Sequence, residues 1–439
     1  MKFSNLPLSL TDMSAPVIGI ASRTQTPKGL RLHIGLFGRR NAGKSSLINA
    51  LTNQKIAIVS DVPGTTTDPV EKACELAPIG PVVFIDTAGV DDVGELGGLR
   101  TERSLAVLGW VDVALIVCDA KALTESELEL IRTVKSTATP TVVVLNKADT
   151  ADAKELIATQ EQVRSLGYEP VTVCANQKLN IDAVREAIVK LAQNAVEPDL
   201  PLLGDLVHPG DTVMLVTPID TGAPKGRMIL PQVQAIREVL DADAKCIVVR
   251  ENRLAETLTN EKEPPAFVVT DSQVVQSVVA QTPKTIPVTT FSIQMAYSKC
   301  DLVEMARGAA MIDFLRPGDK VMICETCSHH PQPDDIGRKK LPRWLAKKVG
   351  GELDIEVVVG KDFPVDLTPY KLILQCGGCV VTRRHMLTRL AQAKRQNIPM
   401  TNYGVAISHL QGVLERALEL HPKALKAFHE AREIFANHF

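Results

Sequence analysis

Residues 38–45, Gly-Arg-Arg-Asn-Ala-Gly-Lys-Ser, constrain the fold of this chain more than any other segment. They lie between an apolar, strand-like run at residues 32–37 and a helical pattern. The glycines of such a loop let backbone N–H groups surround phosphates at the N-terminus of the helix. Lys44 is expected to neutralise the β and γ phosphates, and Ser45 to offer its hydroxyl to Mg²⁺. The segment therefore predicts a nucleotide site on a parallel α/β sheet.

Two motifs at the ends of later strand-like runs complete this site. Asp86 begins an Asp-Thr-Ala-Gly sequence that ends at Gly89. We expect Asp86 to hold Mg²⁺ through water and the Gly89 N–H to meet the γ-phosphate. In the Asn-Lys-Ala-Asp sequence that starts at Asn146, the Asp149 carboxylate can accept two hydrogen bonds from the guanine edge. Adenine does not offer that pattern, so GTP is predicted rather than ATP.

Two more segments are expected to touch the nucleotide. Cys174 and Ala175 follow another strand-like run, and the Ala175 N–H is predicted to support the base. Residues 63–68, Pro-Gly-Thr-Thr-Thr-Asp, lie where a first switch loop is expected. Thr66, with Thr65 as the alternative, is predicted to reach Mg²⁺ and the γ-phosphate. A glycine–threonine turn without a ligand is the simpler interpretation of this segment.

These motifs give the following residue predictions. The predicted GTP contacts are Gly38, Asn41, Ala42, Gly43, Lys44, Ser45, Ser46, Thr66, Asp86, Gly89, Asn146, Lys147, Asp149, Cys174 and Ala175. The predicted Mg²⁺ contacts are Ser45, Thr66 and Asp86. The predicted catalytic residues are Lys44, Thr66, Asp86 and Gly89.

The rest of the chain alternates strand-like and helical patterns in three successive blocks. At 439 residues it is too long for a single core, so two or three domains are expected. The predicted fold class is α/β, with a P-loop domain followed by two smaller α/β domains with mainly parallel sheets. We predict a flexible N-terminal arm at residues 1–29 and a GTP-binding domain at 30–197. The second and third domains are predicted at 198–295 and 296–439.

Composition excludes several classes of partner. The formal net charge of −2 provides no basic footprint for nucleic acid. No apolar run of about eighteen residues exists, so no membrane span is expected. Nine cysteines in a chain of this length do not indicate a disulfide scaffold, and a reducing, cytoplasmic compartment is predicted. Four of them, Cys74, Cys118, Cys174 and Cys246, are interpreted as small buried apolar side chains.

A second group of chemistry-bearing residues lies near the C-terminus. Cys376 and Cys379 form a Cys-Gly-Gly-Cys sequence after an apolar strand-like run, and Cys327 and His329 follow another such run. The carboxyl ends of parallel strands border the crevice where α/β sheets bind ligands. A redox dithiol of Cys376 and Cys379 would leave Cys327 and His329 unexplained. A structural zinc with all four side chains, an iron–sulfur cluster on the three cysteines and a redox-sensing switch all remain open on spacing.

The first of these two sites resembles a known class of GTPase. Residues 36–51, which contain Asn-Ala-Gly-Lys-Ser-Ser-Leu-Ile-Asn-Ala-Leu, are similar to the GTPases of the TrmE–Era–EngA type. The resemblance implies slow intrinsic hydrolysis, because Val90 stands where Ras-like proteins carry a water-positioning glutamine. It also implies that Asn41 helps to bind K⁺ near the phosphates. An asparagine that only stabilises its own turn is the alternative.

The chain as a whole resembles the GTPase maturation factors of [FeFe]-hydrogenases, the HydF family. The similarity runs through residues 218–220, 223–232, 335–338 and 401–404 and through a Cys-x-His…His-Cys-x-x-Cys pattern. It implies a dimerisation domain in the middle of the chain, and hence a homodimer. It also implies a [4Fe-4S] cluster on Cys327, Cys376 and Cys379. A diiron precursor would be carried to the apo-[FeFe]-hydrogenase, with two radical-SAM maturases as further partners.

One residue departs from this pattern. Gln375 occupies the place of the second histidine, so that histidine is not a ligand in this chain. We infer three thiolates and a weakly held fourth iron position. His329 is the first candidate for that position, followed by water or Glu325. The alternative is that His329 and His330 are solvent-facing loop residues. The alternative function is an RNA, ribosome-assembly or tRNA-modification GTPase with a structural zinc, which the near-neutral charge opposes.

Overall fold

The computed structural model describes residues 28–52, 70–87, 106–137, 139–195, 200–219, 228–326, 335–361 and 363–437. Within them the chain forms three separate sheets in sequence order, all of them mainly parallel. The predicted α/β class with a P-loop domain followed by two further α/β units is confirmed. Of the predicted N-terminal arm, only Lys28 and Gly29 belong to the described residues.

The first sheet has the strand order β2-β3-β1-β4-β5-β6. Its strands are β1 (Leu32–Phe37), β2 (Val70–Leu76), β3 (Gly80–Asp86), β4 (Val113–Asp119), β5 (Thr141–Asn146) and β6 (Val171–Thr172). The helices described around it are α1 (Lys44–Thr52), α2 (Glu125–Ser136), α3 (Ala153–Ser165) and α4 (Ile181–Ala195). Only β2 pairs antiparallel, with β3, and the other four pairings are parallel.

The central strand β4 shows why this sheet forms. Val113, Leu115 and Val117 pack into an apolar cluster on one face, and Ile116 and Cys118 pack into a second cluster on the other. Alternate side chains of a strand point to opposite faces, so a strand covered by helices on both sides must be apolar throughout. The sheet consequently exposes its carboxyl ends, where the P-loop follows β1.

The second sheet has the strand order β10-β9-β7-β8, with every pairing parallel. Its strands are β7 (Thr212–Val216), β8 (Lys245–Val249), β9 (Phe267–Thr270) and β10 (Val288–Thr290). The helices of this region are α5 (Leu230–Asp241), α6 (Leu254–Asn260) and α7 (Val275–Gln281). At the edge, β8 has exposed or half-exposed residues throughout, whereas β9 is buried along its length.

The third sheet has the strand order β12-β11-β13-β14, again all parallel. Its strands are β11 (Lys320–Glu325), β12 (Asp354–Val359), β13 (Leu372–Gln375) and β14 (Met400–Asn402). The helices that follow β10 are α8 (Phe291–Lys299), α9 (Leu302–Ala309), α10 (Leu341–Val349), α11 (Arg383–Arg395), α12 (Tyr403–Leu410), α13 (Leu414–Ala417) and α14 (Pro422–Ala436). Strands β11 and β13 lie side by side in the middle, so their carboxyl ends meet at one edge.

Helix α8 joins the second and third units. Phe291 and Met295 pack into the core of the second sheet, whereas Ile293 and Ala296 pack into that of the third. The predicted division near residue 295 therefore falls within a helix that serves both cores. None of the helices in the described part of the chain is long and apolar enough to cross a bilayer.

Candidate nucleotide and cysteine sites

The P-loop begins where β1 ends, and its backbone geometry requires glycine there. Gly38 has a φ of 142°, and a Cβ at this position would lie 2.2 Å from the carbonyl oxygen of Val117 on β4. Only a residue without a side chain lets the loop pass this close to the neighbouring strand. Across the loop, Lys44 Nζ donates to the carbonyl oxygens of Gly38 and Arg39, at 2.9 and 3.0 Å. The ammonium therefore lies over the loop, at the N-terminus of α1, as expected for a phosphate contact.

Ser45 and Asp86, two of the three predicted Mg²⁺ contacts, lie together. Ser45 Oγ donates to Asp86 Oδ2 at 3.1 Å, and within the described residues the buried Asp86 Oδ1 has no hydrogen-bond partner. Burial raises the pKa of the Asp86 carboxyl, and Lys44, Ser45 and Lys72 oppose that shift. A buried carboxylate oxygen beside a hydroxyl is a donor set that Mg²⁺ prefers. The two residues therefore fit a magnesium ion.

Asn146 connects three loops of the nucleotide site. Its Nδ2 donates to the carbonyl oxygen of Ala42 at 2.9 Å, and its Oδ1 accepts the N–H of Ala175 at 3.0 Å. The side chain is 2 % exposed. The P-loop, the Asn-Lys-Ala-Asp loop and the loop after β6 are thereby fixed to one another. The Ala175 N–H, predicted to support the base, is engaged by Asn146 in this arrangement.

The predicted guanine-reading carboxylate is held in place by its neighbours. Cys174 Sγ donates to Asp149 Oδ1 at 3.0 Å, and Gln177 Nε2 donates to Oδ2 at 3.3 Å. Gln177 was not among the sequence predictions. These contacts fix the orientation of the carboxylate, which is what a base-specific contact needs.

A second ion-pair group supports the P-loop and was also missed. Arg39 Nη2 lies 3.2 Å from Asp119 Oδ2, and Arg39 Nε lies 3.5 Å from the buried Glu127. Lys147, with a φ of 61°, approaches the same Asp119 oxygen at 3.4 Å. Asp119 at the end of β4 thus links two loops of the site. No sequence motif marks it, because the partners come from distant segments.

The remaining predicted nucleotide residues divide into two groups. Asn41 is an exposed residue of the P-loop, with a φ of 63°. Ser46 lies in the first turn of α1. Thr66, its alternative Thr65, Gly89 and Val90 lie outside the described residues, and their predicted roles remain predictions.

The cysteine loop follows β13 at the carboxyl edge of the third sheet. The N–H of Cys376 donates to the carbonyl oxygen of Cys324 at 2.9 Å, which fixes the start of the loop against β11. Thr326, the residue after β11, places its N–H 3.2 Å and its hydroxyl oxygen 3.1 Å from Cys376 Sγ. Gly378 has a φ of 66°, and a Cβ there would lie 2.7 Å from the sulfur of Met386. The sulfur of Cys376 therefore lies in a donor-lined turn that glycine makes possible.

Two of the four predicted cluster residues, Cys376 and Cys379, belong to the described part of the chain. Cys327 and His329 lie outside the described residues. In the part of the chain that the structure describes, no three His, Cys, Asp or Glu side chains come together as a metal site. Cys376 and Cys379 are both partly exposed on one loop. Two accessible thiols at the carboxyl edge of a parallel sheet, one with donors aimed at its sulfur, fit thiolate ligands of a cluster.

Glu325, a candidate for the fourth iron position, and its neighbour Cys324 both have other roles. Arg338 donates to Glu325 Oε2 through Nε at 3.1 Å and through Nη2 at 3.0 Å. Glu325 is 3 % exposed, so this carboxylate is committed to a buried ion pair. Cys324 is fully buried in the apolar core of the third unit, and burial raises its thiol pKa to about 12. Neither side chain is available as the fourth iron ligand.

The two sites belong to units that contact each other directly. A short turn, Lys28–Leu30, precedes β1, and buried Lys299 of α8 donates to the carbonyl oxygen of Gly29 at 2.7 Å. On β2, Glu71 forms ion pairs with Lys28 and with Lys361 of the third unit. These contacts place the start of the P-loop domain against the unit that carries the cysteine loop.

Aromatic rings extend the same contact. Lys361 Nζ lies 3.3 Å from the ring centroid of Trp110, and the His385 ring stacks on Trp110 at 6.4 Å between centroids. Arg384 donates to Thr139 at 3.0 Å. His33 of β1 meets the edge of Trp110 at 6.1 Å. Ring contacts and ion pairs therefore form the interface between the two units.

Family models match three successive stretches of the chain. Residues 33–147 match a 50S ribosome-binding GTPase family model. GTPase Der of Wolinella succinogenes is 34% identical over 172 residues, and tRNA modification GTPase MnmE of Trichormus variabilis is 38% identical over 167 residues. Each alignment covers 37% of this chain, with 36% of the Der sequence and 34% of the MnmE sequence. The chain therefore spans little more than a third of the length of these curated relatives.

A solved structure of an Aquifex aeolicus Era variant bound to GDP and AlF4⁻ is 20% identical and covers 52% of this chain and 97% of its own. The TM-score of this match is 0.32.

The P-loop, the paired Ser45 and Asp86 and the GTPase match define the N-terminal unit as a P-loop GTPase domain. Residues 202–300 match the hydrogen maturase F dimerization domain, and residues 303–420 match the hydrogen maturase F tetramerization domain. The chain belongs to the hydrogen maturase F, or HydF, family. The family resemblance inferred from the sequence is confirmed.

Proposed function

We propose that this protein is a GTP hydrolase that also binds a [4Fe-4S] cluster and delivers a diiron precursor to apo-[FeFe]-hydrogenase. The observation that carries the proposal is the combination of sites in one HydF-family chain. A P-loop GTPase domain precedes a unit in which Cys376 lies at the carboxyl edge of a parallel sheet with donors on its sulfur. Either site alone occurs in many other proteins, so their combination is the specific signal.

The nucleotide half of the proposal assigns a task to each placed side chain. Lys44 would neutralise phosphate charge, and Ser45 with Asp86 would hold Mg²⁺, which supplies a positive charge for the developing phosphate oxyanions. Asp149, oriented by Cys174 and Gln177, would read the guanine edge. Thr66 and Gly89 are proposed to meet the γ-phosphate. Catalysis on this plan is positioning and charge neutralisation by preformed groups.

Potassium is proposed as a further ion at the phosphates. Asn41 is an exposed residue of the P-loop, and a side-chain amide oxygen is a ligand that a cation can use. GTP hydrolysis should be faster in K⁺ than in Na⁺, and Asn41→Ala should abolish the difference. The measurement is phosphate release at matched ionic strength, with Gln160→Ala on α3 as the control. Equal rates in the two salts for the wild type would refute the assignment.

The cysteine half assigns Cys327, Cys376 and Cys379 to the iron of the cluster. Thiolates hold such clusters, and the N–H and hydroxyl of Thr326 would offset the charge of the Cys376 thiolate. His329 or water would complete the fourth position, since Glu325 is paired with Arg338. A weakly held fourth ligand suits a protein that must accept and release its cargo. The diiron precursor is that cargo, not a resident cofactor.

The proposal extends to partners and to the cellular setting. Two radical-SAM maturases would supply the precursor, and a cytoplasmic, reducing compartment would preserve the thiols. The dimerization and tetramerization domain matches support self-association of the chain, with a homodimer formed through residues 198–295. GTP would act as a timing device that changes partner affinity or domain arrangement. Comparable partner dissociation rates with GDP and with a GTP analogue would contradict that role.

The decisive experiment is transfer. Anaerobically purified, precursor-loaded protein is mixed with apo-[FeFe]-hydrogenase, and hydrogen evolution is measured. The wild type should activate the hydrogenase, Cys376→Ser should not, and Cys246→Ser on β8 should behave as the wild type. A demonstrably loaded sample that yields no hydrogen would defeat the carrier role. The competing RNA-associated GTPase would contain zinc and no sulfide, which metal analysis distinguishes.

A further inference from the structure

Gln375 is buried against the cysteine loop, in the position where the family pattern has a histidine. It ends β13, it is 0 % exposed, and its amide Nε2 lies 3.5 Å from Cys376 Sγ. The same nitrogen lies 3.4 Å from the carbonyl oxygens of Cys324 and of Cys376. A buried side-chain amide next to a sulfur is either a donor to it or a space-filling group. The orientation of the amide distinguishes these possibilities.

Arg389 fixes that orientation. Its Nη1 donates to Gln375 Oε1 at 3.0 Å. A guanidinium carries only donors, so the amide atom that faces Arg389 must be the oxygen, and the NH₂ group must face the cysteine loop. Arg389 is itself 2 % exposed, donates through Nη2 to the carbonyl oxygen of Gly360 at 2.9 Å, and lies 5.0 Å from the ring centroid of Phe363. The guanidinium is therefore anchored independently of the glutamine.

The amide of Gln375 adds to the donors already on the same sulfur. Thr326 presents its N–H and its hydroxyl to Cys376 Sγ from the end of β11. Gln375 approaches from the end of β13, so donors reach the sulfur from two adjacent strands. Hydrogen bonds to sulfur stabilise negative charge on it. In iron–sulfur proteins they raise the reduction potential, because the reduced cluster carries one more electron.

We propose that Gln375 is a positioning residue that donates an amide N–H to the sulfur of Cys376, with Arg389 setting its orientation, and that this contact raises the reduction potential of the cluster. The inference rests on the proposed function, since it requires a cluster on Cys376. It gives the substitution of glutamine for histidine a specific consequence. The chain loses a candidate ligand and gains a neutral donor to a ligand sulfur.

The test compares the cluster in three variants and in the wild type. Gln375→Leu removes the donor, and Gln375→Met removes it while keeping an unbranched side chain of similar length and no charge. Gln392→Leu is the matched control, because Gln392 lies on the same helix as Arg389 but donates to the carbonyl oxygens of Pro364 and Val365 and not to the cysteine loop. Each protein is reconstituted anaerobically with iron and sulfide. The midpoint potential is then measured by redox titration with electron paramagnetic resonance.

Both Gln375 variants should shift to lower potential. At the wild-type midpoint, the ratio of reduced to oxidised cluster should fall on the order of tenfold, which corresponds to about 59 mV for a one-electron couple. Gln392→Leu should match the wild type. If Gln375→Leu does not fold, Gln375→Met decides the question, because its unbranched side chain fills nearly the same space without an N–H donor and without a charge.

The outcomes separate the inference from the function on which it rests. A wild type that takes up no iron and sulfide contradicts the proposed function, and the inference about Gln375 falls with it. A cluster that forms in every protein at one unchanged potential leaves the proposed function intact and overturns the role of Gln375. A shift in Gln392→Leu equal to that of the Gln375 variants would also overturn it, since a general loosening of the fold would then explain the effect.

Discussion

The nucleotide site and the cysteine site are built by different means. In the GTPase domain, the key contacts join segments that are themselves motifs: Asn146 bonds Ala42 and Ala175, and Ser45 bonds Asp86. Around Cys376, the contacts come from Thr326, which precedes the Cys-x-His segment, and from Gln375, which stands in place of the pattern's second histidine. Sequence motifs therefore specify the first site, whereas the second depends on how neighbouring side chains pack against the sulfur of Cys376. Substitutions should therefore affect the two sites separately.

The largest effect is expected at the junction of the three nucleotide loops. Asn146→Ala removes two buried hydrogen bonds and leaves the Ala42 carbonyl and the Ala175 N–H without this partner. Each lost bond costs about 1–1.5 kcal/mol. GTP affinity should therefore fall on the order of 10²-fold. Titration calorimetry measures the affinity, with Gln160→Ala as control. The cluster should be unchanged, and a lost cluster would break the separation between the sites.

The next effect concerns the stability of the third unit. Asp313 accepts from Lys348 at 2.8 Å and from His409 at 2.9 Å, and Arg432 lies 3.1 Å away. Asp313→Asn should lower the free energy of unfolding of the C-terminal unit by on the order of 2–3 kcal/mol. Denaturant unfolding measures it, and GTP affinity should stay unchanged. The exposed Asp366→Asn serves as the control.

The same carboxylate gives a prediction for the acid limb, which is the fall of folding stability at low pH. Burial alone would raise the pKa of Asp313, but hydrogen bonds from His409 and Lys348 outweigh it and hold the pKa below its usual value. The stabilisation is therefore complete above the unfolded pKa of about 3.9 and is lost as pH falls towards the lower folded value. Asp313→Asn should flatten this limb. An unchanged acid limb would show that the carboxylate is not ionised in the folded protein.

A pH effect closer to neutrality is expected at the interface between the two units. Burial, then the charge of Lys361, lowers the pKa of His33 to about 3, and burial lowers the pKa of His385 as well. The unfolded chain binds protons near pH 6.5, while these folded imidazoles stay neutral. Stability should therefore fall below about pH 6.5 by up to about 1.4 kcal/mol per pH unit for each histidine.

His33→Phe tests this, because phenylalanine keeps a ring against Trp110. The slope of stability against pH should decrease but not vanish, since His385 and His421, whose pKa values burial also lowers, remain. His429→Phe, at a half-exposed histidine of α14, serves as the control. An identical slope in His33→Phe and the wild type would contradict the buried neutral state of His33.

The smallest effect tests whether the two sites are coupled. Glu71 is the second residue of β2, which follows the predicted switch segment in the sequence. It pairs with Lys361, the neighbour of Gly360, whose carbonyl oxygen accepts from Arg389. If nucleotide state reaches the cysteine loop this way, hydrogen exchange around residue 360 should differ by a few-fold between GDP and a GTP analogue. Glu71→Gln should remove the difference, and Glu75→Gln on the same strand should keep it. An undiminished difference in Glu71→Gln would exclude this route.

The sequence allowed the fold class and most of the nucleotide site to be predicted, because Gly38, Lys44, Ser45, Asp86 and Asn146 are close to one another through strand ends that the apolar runs reveal. It did not reveal Gln177 or Asp119, whose partners lie in other loops. The role of Arg389 was also hidden, since an arginine on a helix is usually exposed. Its burial depends on Gln375 and Gly360, which are 14 and 29 residues away.

The central claim is that one chain combines a guanine-nucleotide site with an iron–sulfur site on Cys376. Anaerobic reconstitution of the wild type and of Cys376→Ser, followed by iron, sulfide and zinc analysis and electron paramagnetic resonance, tests it most directly. The account predicts iron with sulfide and the signal of a reduced [4Fe-4S] cluster in the wild type. It also predicts loss of that cluster in Cys376→Ser, with GTP binding equal in both proteins. Zinc without sulfide in the wild type, or an intact cluster in Cys376→Ser, would contradict it.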